Sequence, residues 1–550
     1  MRRAANNRQL TIVIVLLGLV SAAYGSPLLE AFLGAGQKLA PAINLEDGWG
    51  RPFLRSGVFA CLSTLIFLPS SLFFALLVKD CSKYLRGFLA LLMMPMLMGG
   101  VALAFIIKLD TMRMNLVTTA IANRAFAPTW GLMLLAQGWQ VVPLFLYLFW
   151  FRLQLVPERV LRFARASQLT PWEYARDIYW PHTRNLAGIL ALLGAALSFY
   201  EFIKFHLVLR ASPGGGTELA SHWLLRWYSS YATVDPNYAT QVTLAMSAVG
   251  VLIAVVVALL AVLVTVAGLD WCLRRHPRAL LPWRVRDPRI ADAVALVAIL
   301  ATMAPLLGLA RYFRWGVFID LGEFFRSVTL SVAAASVTLL LSIVLGVCVR
   351  ILLRRTMEKF DSRSAPLFGL LYFLQMVPPI GVALCGYHWL AKLGGTTTWV
   401  PLLWLVSQVI VSLPLTASFV QVSHFRVSTR ELEFQESSRV GFSDLMWHSF
   451  LRRFGLDYGL VAIFGFSIIW TEATVNSTLS SLSRSIPSVA VELSQRVDGR
   501  GASYQQAANL ILVTLVPVIL ALALWTFDLR RRKVFSDKSR NGLLGRRMEG

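Results

Sequence analysis

Apolar residues in this chain are concentrated in long, nearly uncharged segments that alternate with shorter polar and basic segments. A segment of about eighteen or more apolar residues predicts a transmembrane helix. The expected fold class is therefore an all-α membrane protein. The pattern predicts about twelve transmembrane helices, near residues 10–32, 56–78, 86–107, 129–151, 184–206, 240–268, 291–310, 327–349, 366–391, 399–422, 456–478 and 506–528.

Basic residues are shared unequally among the segments between these spans. With the N-terminus placed inside, the inner segments hold 36 of the 52 lysine and arginine residues and the outer segments hold 16. Cytoplasmic loops of membrane proteins carry such an excess, so both termini are expected in the cytoplasm. The same excess accounts for most of the net charge of +23, and we expect no nucleic acid partner.

The first span admits two interpretations. Its basic start, apolar middle and small residues, "MRRAANNRQLTIVIVLLGLVSAAYGS", are also typical of a secretory signal. We interpret it as an uncleaved helix, because apolar character continues through "PLLEAFLGAG" and because an even number of spans leaves both ends inside.

Several features recur about 271 positions apart, which predicts an internal repeat. Pro143 in the fourth span matches Pro414 in the tenth, and a long inner loop follows each of these spans. We name them the first long loop (152–183) and the second long loop (423–455).

The predicted organisation is two parallel six-helix repeats, related by an axis along the membrane normal. The first repeat covers 1–270 and the second covers 291–528. A basic cytoplasmic linker, 271–290, joins the two repeats, and a basic cytoplasmic tail, 529–550, follows them near the anionic headgroups.

The first long loop has the pattern of a helix, a break and a second short helix. Arg159, Arg162 and Arg165 are spaced by three and share one helical face. Thr170-Pro171 ends this helix, since the residue before proline is pushed out of the α region, and "WEYARDIY" can start another. Such a unit can dock into a partner protein, and its duplication favours a partner with two equivalent sites; the alternative is an interfacial helix on lipid headgroups.

The long loops resemble the cytoplasmic loop of ABC importer permeases, which has the pattern E-A-A-x3-G-x9-I-x-L-P. Without gaps, the first loop becomes "RFARASQLTPWEYARDIYWP", with Arg162 where the glutamate is expected and Gln168 where the glycine is expected. The aligned residues, to which the resemblance assigns coupling to an ATPase subunit, are Arg162, Ala164, Gln168, Pro171, Trp172 and Pro181.

The second long loop matches the pattern through "QESSRVGFSDLMWHSFLRRF", which keeps the glycine and has Phe454 in place of the final proline. The outer segment "GGGTELASHWLLRWYSSYATVDPNYATQVTLAM" is similar to the loop before the last helix in fused permeases of the iron(III) and thiamine importer type. The aligned coupling residues of the second loop are Gln435, Glu436, Ser437 and Gly441.

The resemblance implies the permease subunit of a type I ABC importer in a bacterial inner membrane. It implies two ATP-binding subunits on the cytoplasmic face, which would hold ATP and magnesium, and a periplasmic substrate-binding protein. The chain itself is expected to be no enzyme and to hold no cofactor or metal, and it has no GxxxxGK[ST] loop. The substrate stays open among iron(III), thiamine, a polyamine and other small organic ions.

Arg162 reverses the charge of the glutamate that the resemblance places at the ATPase contact. We therefore expect a dedicated ATPase subunit with a complementary acidic residue near its docking groove.

Two carboxylates are placed alike in the fifth and eleventh spans, Glu201 and Glu472. A carboxylate within a membrane helix is costly and usually faces a cavity or a partner. One interpretation is that the pair lines the substrate pathway, which would suit a cationic substrate. The other is that each stabilises contacts between helices.

Two other protein classes stay open. A secondary transporter of the major facilitator type shares the plan of six plus six helices, but its usual G-x3-D-R/K-x-G-R/K-R/K loop is absent after the second span. A membrane enzyme would need paired catalytic groups at a common depth, for which Glu201 and Glu472 are the candidates.

Overall fold

The structure is a computed structural model in which the chain is almost entirely helical wherever it is described. The residues that it describes are 15, 18–34, 50–79, 81–82, 85, 88–97, 106, 126–154, 156, 158–201, 218–232, 234–275, 288–310, 321–352, 376–392, 394, 399–424, 427, 444, 446–480, 509 and 511.

The α-helices of these regions are numbered here in chain order. They are α1 (18–34), α2 (Gly50–Val78), α3 (Met94–Leu97), α4 (Phe126–Gln154), α5 (Glu158–Ala166), α6 (Trp180–Phe199), α7 (Ala220–Tyr231), α8 (Pro236–Arg275), α9 (Pro288–Ala310), α10 (Leu321–Leu352), α11 (Pro379–Lys392), α12 (Val400–His424), α13 (Arg452–Thr471) and α14 (Ala473–Ser480).

Three further helical segments adjoin them. A 3₁₀ segment, Leu89–Met93, leads into α3. Two π-helical segments, which we name joint 1 (Tyr174–Tyr179) and joint 2 (Met446–Leu451), lead into α6 and α13.

Five helices of the described regions are long and apolar enough to cross a membrane, so the prediction of an all-α membrane protein is confirmed at this level. A count of twelve spans stays a prediction. The five apolar stretches are Gly50–Val78, Trp130–Gln154, Pro236–Arg275, Phe324–Val347 and Val400–Gln421.

Helix α2 packs against α4, and α10 packs against α12. A glycine contact recurs at α4 and at α12. A Cβ added at Gly194 would lie 3.0 Å from the Phe145 ring, and one at Gly465 would lie 3.3 Å from Thr416. The second pair lies 271 positions after the first. The spacing seen in the sequence therefore recurs in the packing.

Two glutamines that are 271 positions apart each make a buried polar contact, with partners that are not at equivalent positions. The Gln137 amide donates to the Ser198 hydroxyl at 3.0 Å, and the Gln408 amide donates to Asn476 Oδ1 at 3.0 Å. Both glutamines are buried. Their hydrogen bonds tie α4 to α6 and α12 to α14.

The N-terminal helices of the two halves lie against the opposite halves. On α11, the Trp389 indole donates to the Ala23 carbonyl of α1 at 2.6 Å, and Lys392 Nζ lies 2.6 Å from Glu30. Reciprocally, α9 packs on the 3₁₀ segment and on α3 and α2. The halves therefore exchange their first helices.

Candidate functional site

Helix α5, in the first long loop, ends at a residue with left-handed backbone, Gln168, whose φ is 49°. The Leu169 N–H donates to the Ala164 carbonyl at 3.4 Å, which is the Schellman pattern of a helix C-terminus. Glycine usually occupies this position because it has no Cβ. Gln168 is the only non-glycine residue with positive φ in the described part of the chain, and it stands where the sequence pattern expects glycine.

The next helical turn begins with a capping box made by Thr170 and Glu173. The Thr170 N–H and hydroxyl donate to Glu173 Oε2 at 2.7 and 2.9 Å, and the Glu173 N–H donates to Thr170 Oγ1 at 3.3 Å. These donors, the backbone N–H first, hold the pKa of Glu173 below its ordinary value. The predicted break at Thr170-Pro171 is confirmed, with Pro171 as the first residue of the new turn.

The segment after this break differs from the predicted short helix. It is helical without interruption into α6, because joint 1 connects Glu173 to Trp180. In joint 1 the Trp180 N–H donates to the Ala175 carbonyl, five residues back. Pro181 follows directly, and proline has no N–H and crowds the carbonyl four residues before it. The wider π turn accommodates this ring.

Side chains that follow Pro181 add hydrogen bonds to carbonyls at the end of joint 1. His182 Nδ1 donates to the Ile178 carbonyl at 2.7 Å, and the Thr183 hydroxyl donates to the Tyr179 carbonyl at 2.8 Å. From the end of α4, Arg152 Nε donates to the His182 carbonyl at 3.0 Å. The start of α6 is therefore bonded back to joint 1 and attached to α4.

Two more helices hold joint 1 through its last residue and the first residue of α6. Lys79, directly after α2, donates to the Tyr179 hydroxyl and lies 4.0 Å from the centre of its ring. The Trp180 indole N–H donates to Asp270 Oδ1 of α8 at 2.9 Å. The other oxygen of Asp270 accepts from Arg274 at 3.0 Å. The ends of α2, α4 and α8 thus converge on this joint.

The first long loop also has a small apolar core of its own, made by Val156, Ala164 and Ile178. Trp172 is buried as well, with 6% of its surface exposed. On the other side of α5, Arg162 is exposed and the Phe163 side chain is 73% exposed. The loop is therefore a folded unit that presents an aromatic side chain beside an arginine.

Most of the second long loop lies outside the described residues, including Gln435, Glu436, Ser437 and Gly441. Its last part contains joint 2, which begins 272 positions after joint 1. Phe454 takes a non-helical conformation just after joint 2, with φ −111° and ψ 15°. The π segment thus recurs in the second half without a proline to impose it.

Joint 2 is held mainly by aromatic rings. The His424 ring, at the end of α12, lies with its centre 4.7 Å from that of Phe450 and 5.8 Å from that of Phe454. His424 Nε2 lies 2.7 Å from the Tyr458 hydroxyl. Arg350 of α10 donates to the His424 carbonyl at 3.2 Å. Phe450 and Phe454 are completely buried.

The two predicted pathway carboxylates lie at helix ends. Helix α6 ends at Phe199, and Glu201 lies two residues beyond its end. Glu472 separates α13 from α14, and its carboxylate accepts the N–H groups of Thr474 and Val475 at 2.9 and 2.7 Å. Glu472 therefore caps the N-terminus of α14, and its place on a substrate pathway stays a prediction.

Several residues of this site carry no local signal in the sequence. Lys79, Asp270 and His424 meet their joints through tertiary contacts with distant segments. The capping box, by contrast, is a Thr-x-x-Glu pattern at 170–173 that sequence alone displays.

Comparison with known proteins finds no matching family model, no similar curated protein and no similar solved structure.

Proposed function

We propose that this chain is the membrane-spanning permease subunit of an ATP-driven importer of the ABC type. Its two long loops would be the coupling elements that receive separate ATPase subunits, and the chain would form the substrate pathway. A periplasmic binding protein would deliver a small-molecule or ion substrate. The membrane is a bacterial inner membrane, with the long loops and both termini in the cytoplasm.

The observation that carries this proposal is the conformation of Gln168. In the resemblance, glycine occupies this position, and the backbone here has the positive φ that favours glycine. This chain has glutamine at that position, and its backbone has the turn that glycine would favour. Together with the helix–turn–helix geometry of the loop, this supports the alignment at its weakest position.

The exposed surface of α5 supports docking. The Phe163 side chain is 73% exposed on a helix of a folded loop, so its ring is accessible to a partner protein. Phe163 is a suitable anchor for an apolar pocket, and Arg162 is suited to an acidic residue at the rim of that pocket. This combination favours a dedicated ATPase subunit.

The recurring contacts support two repeats. The glycine contacts and the two joints recur 271 and 272 positions apart, and the buried glutamines Gln137 and Gln408 are 271 positions apart. The reciprocal exchange of α1 and α9 suits two halves related by a pseudo-twofold axis. Two equivalent coupling loops would then serve two ATPase subunits, in a chain that is itself no enzyme and holds no ATP.

Copurification of the full-length chain with its ATPase subunit tests this proposal. Arg162→Glu and Phe163→Ala should each weaken the assembly by about ten-fold or more, as expected for central interface residues. The readouts are the amount of bound ATPase subunit and the ATP hydrolysis of the purified complex.

The control is Arg184→Glu, which makes the same change of charge at an exposed arginine of α6. It should leave the assembly intact. If Phe163→Ala instead reduces binding to lipid vesicles and leaves the ATPase content unchanged, α5 rests on headgroups and the docking assignment is wrong. A chain that transports without any ATPase subunit would be a secondary transporter.

A further inference from the structure

Tyr179 and Trp180 face two different neighbours because they are consecutive residues of a helical segment. Their side chains leave the axis roughly 100° apart. One meets Lys79 at the end of α2, and the other meets Asp270 near the end of α8. With Arg152 bound to the next turn, the start of α6 is held from three sides.

Each of these three contacts involves a charged group. Hydrogen bonds to charged groups are shorter and stronger than neutral ones, and they depend on direction. Trp180 is 4% exposed, so its bond to Asp270 is largely shielded from water. A start of α6 that is fixed in this way cannot turn in place when the first long loop is displaced.

The two positions equivalent to Tyr179 and Trp180 in the second half carry other side chains. Leu451 and Arg452 follow Tyr179 and Trp180 by 272 positions, and neither offers a phenol or an indole. Among the described residues, joint 2 lies instead against the rings around His424, and Arg350 donates to the His424 carbonyl at the end of α12. Both joints are therefore π-helical, and the side chains that hold them differ among the described residues.

We propose that joint 1 is the element through which movement of the first long loop reaches α2 and α8, and that Tyr179 and Trp180 are its positioning residues. In the described part of the second half, joint 2 lies against His424 at the end of α12 instead. The two ATPase subunits would thus act on loops that are attached to the membrane helices in different ways. This inference rests on the proposed function, because the force on the loop comes from the ATPase subunits.

The first experiment uses the full-length chain alone in lipid nanodiscs and measures amide hydrogen exchange. Trp180→Phe removes the indole N–H donor and keeps a smaller aromatic ring, and Asp270→Asn removes the charge and keeps one acceptor oxygen. Both should accelerate exchange about ten-fold in residues 158–173 and near the end of α8, the factor expected for one lost bond to a charged group. Tyr458→Phe, the control, should accelerate exchange only around joint 2.

The second experiment uses the complex with its ATPase subunits and compares exchange in α7 with and without magnesium-ATP and vanadate. In the unaltered complex, nucleotide should change exchange in α7, which packs on α8. In the Trp180→Phe and Asp270→Asn complexes this response should be lost while ATP hydrolysis persists. In the Tyr458→Phe complex the response should remain.

The outcomes separate this inference from the proposed function. If no ATPase subunit assembles with the unaltered chain, the proposed function fails and this inference fails with it. If the unaltered complex responds to nucleotide and the Trp180→Phe and Asp270→Asn complexes respond equally, only the inference is overturned. An equal loss in Tyr458→Phe would also overturn it, since the two joints would then be equivalent.

Discussion

At the scale of single residues, the turn between α5 and joint 1 concentrates several backbone requirements in a few positions. Gln168 takes a left-handed conformation, and Thr170 and Glu173 cap the turn that follows. A Cβ in the left-handed region costs about 1–2 kcal/mol relative to glycine. The turn is therefore less stable than it would be with glycine at position 168.

Gln168→Gly should stabilise this turn by about 1 kcal/mol, because the backbone keeps its φ and loses the crowded Cβ. Amide exchange of Leu169, which donates to Ala164, should slow by roughly five-fold. Gln168→Ala keeps the Cβ and should exchange at nearly the original rate. Equal rates in the glycine and alanine variants would show that the positive φ is not strained.

At the scale of helices, close approach of backbones determines how α10 and α12 pack. A Cβ at Gly346 would lie 2.7 Å from Val420 Cγ1 and 3.0 Å from His424 Nδ1. No real Cβ tolerates the shorter distance, so Gly346 is required for the observed contact. The same contact fixes His424, which in turn packs against joint 2.

Gly346→Ala should destabilise the protein by about 1–3 kcal/mol, as is usual for overpacking, and lower the midpoint of thermal unfolding in detergent. Adding Val420→Ala removes the nearest methyl group and should recover part of the loss. Gly459→Ala is the matched control, because nothing lies within 4 Å of its added Cβ. A Gly346→Ala midpoint equal to that of the control would contradict the packing described above.

Most elements of this fold follow from patterns that act along the chain. Apolar length predicts the long helices, and Thr170-Pro171 predicts the break, because both depend on neighbouring residues. The end of α6 before Glu201 and the capping by Glu472 were missed, since a span drawn from apolar length carries no information on the backbone turn that ends a helix. Lys79 and Asp270 were missed because their partners are distant in sequence and close only in the folded chain.

At the scale of the whole molecule, the exchange of α1 and α9 makes each half incomplete without the other. The Trp389 hydrogen bond and the Glu30–Lys392 pair attach α1 to α11. The 3₁₀ segment and α3 receive α9 in the same way. The linker between the halves is then unnecessary for holding them together.

Cleavage of the gene within 276–287, with both fragments expressed together, should therefore give a stable pair that copurifies. Each half would bury the first helix of the other, and the contact surface would be the same as in the single chain. Size-exclusion chromatography and thermal unfolding of the pair measure this. Fragments that separate in mild detergent would indicate that the exchanged helices contribute little to the association.

The exchange also sets an order for biosynthesis. Helix α1 leaves the ribosome first, yet the hydrogen-bond partners of Ala23 and Tyr24 lie on α11, at Trp389 and Cys385. At roughly 5–20 residues per second, a ribosome needs on the order of half a minute to reach them. During that interval α1 must exist without its final neighbour, and a membrane chaperone or insertase would have time to bind there.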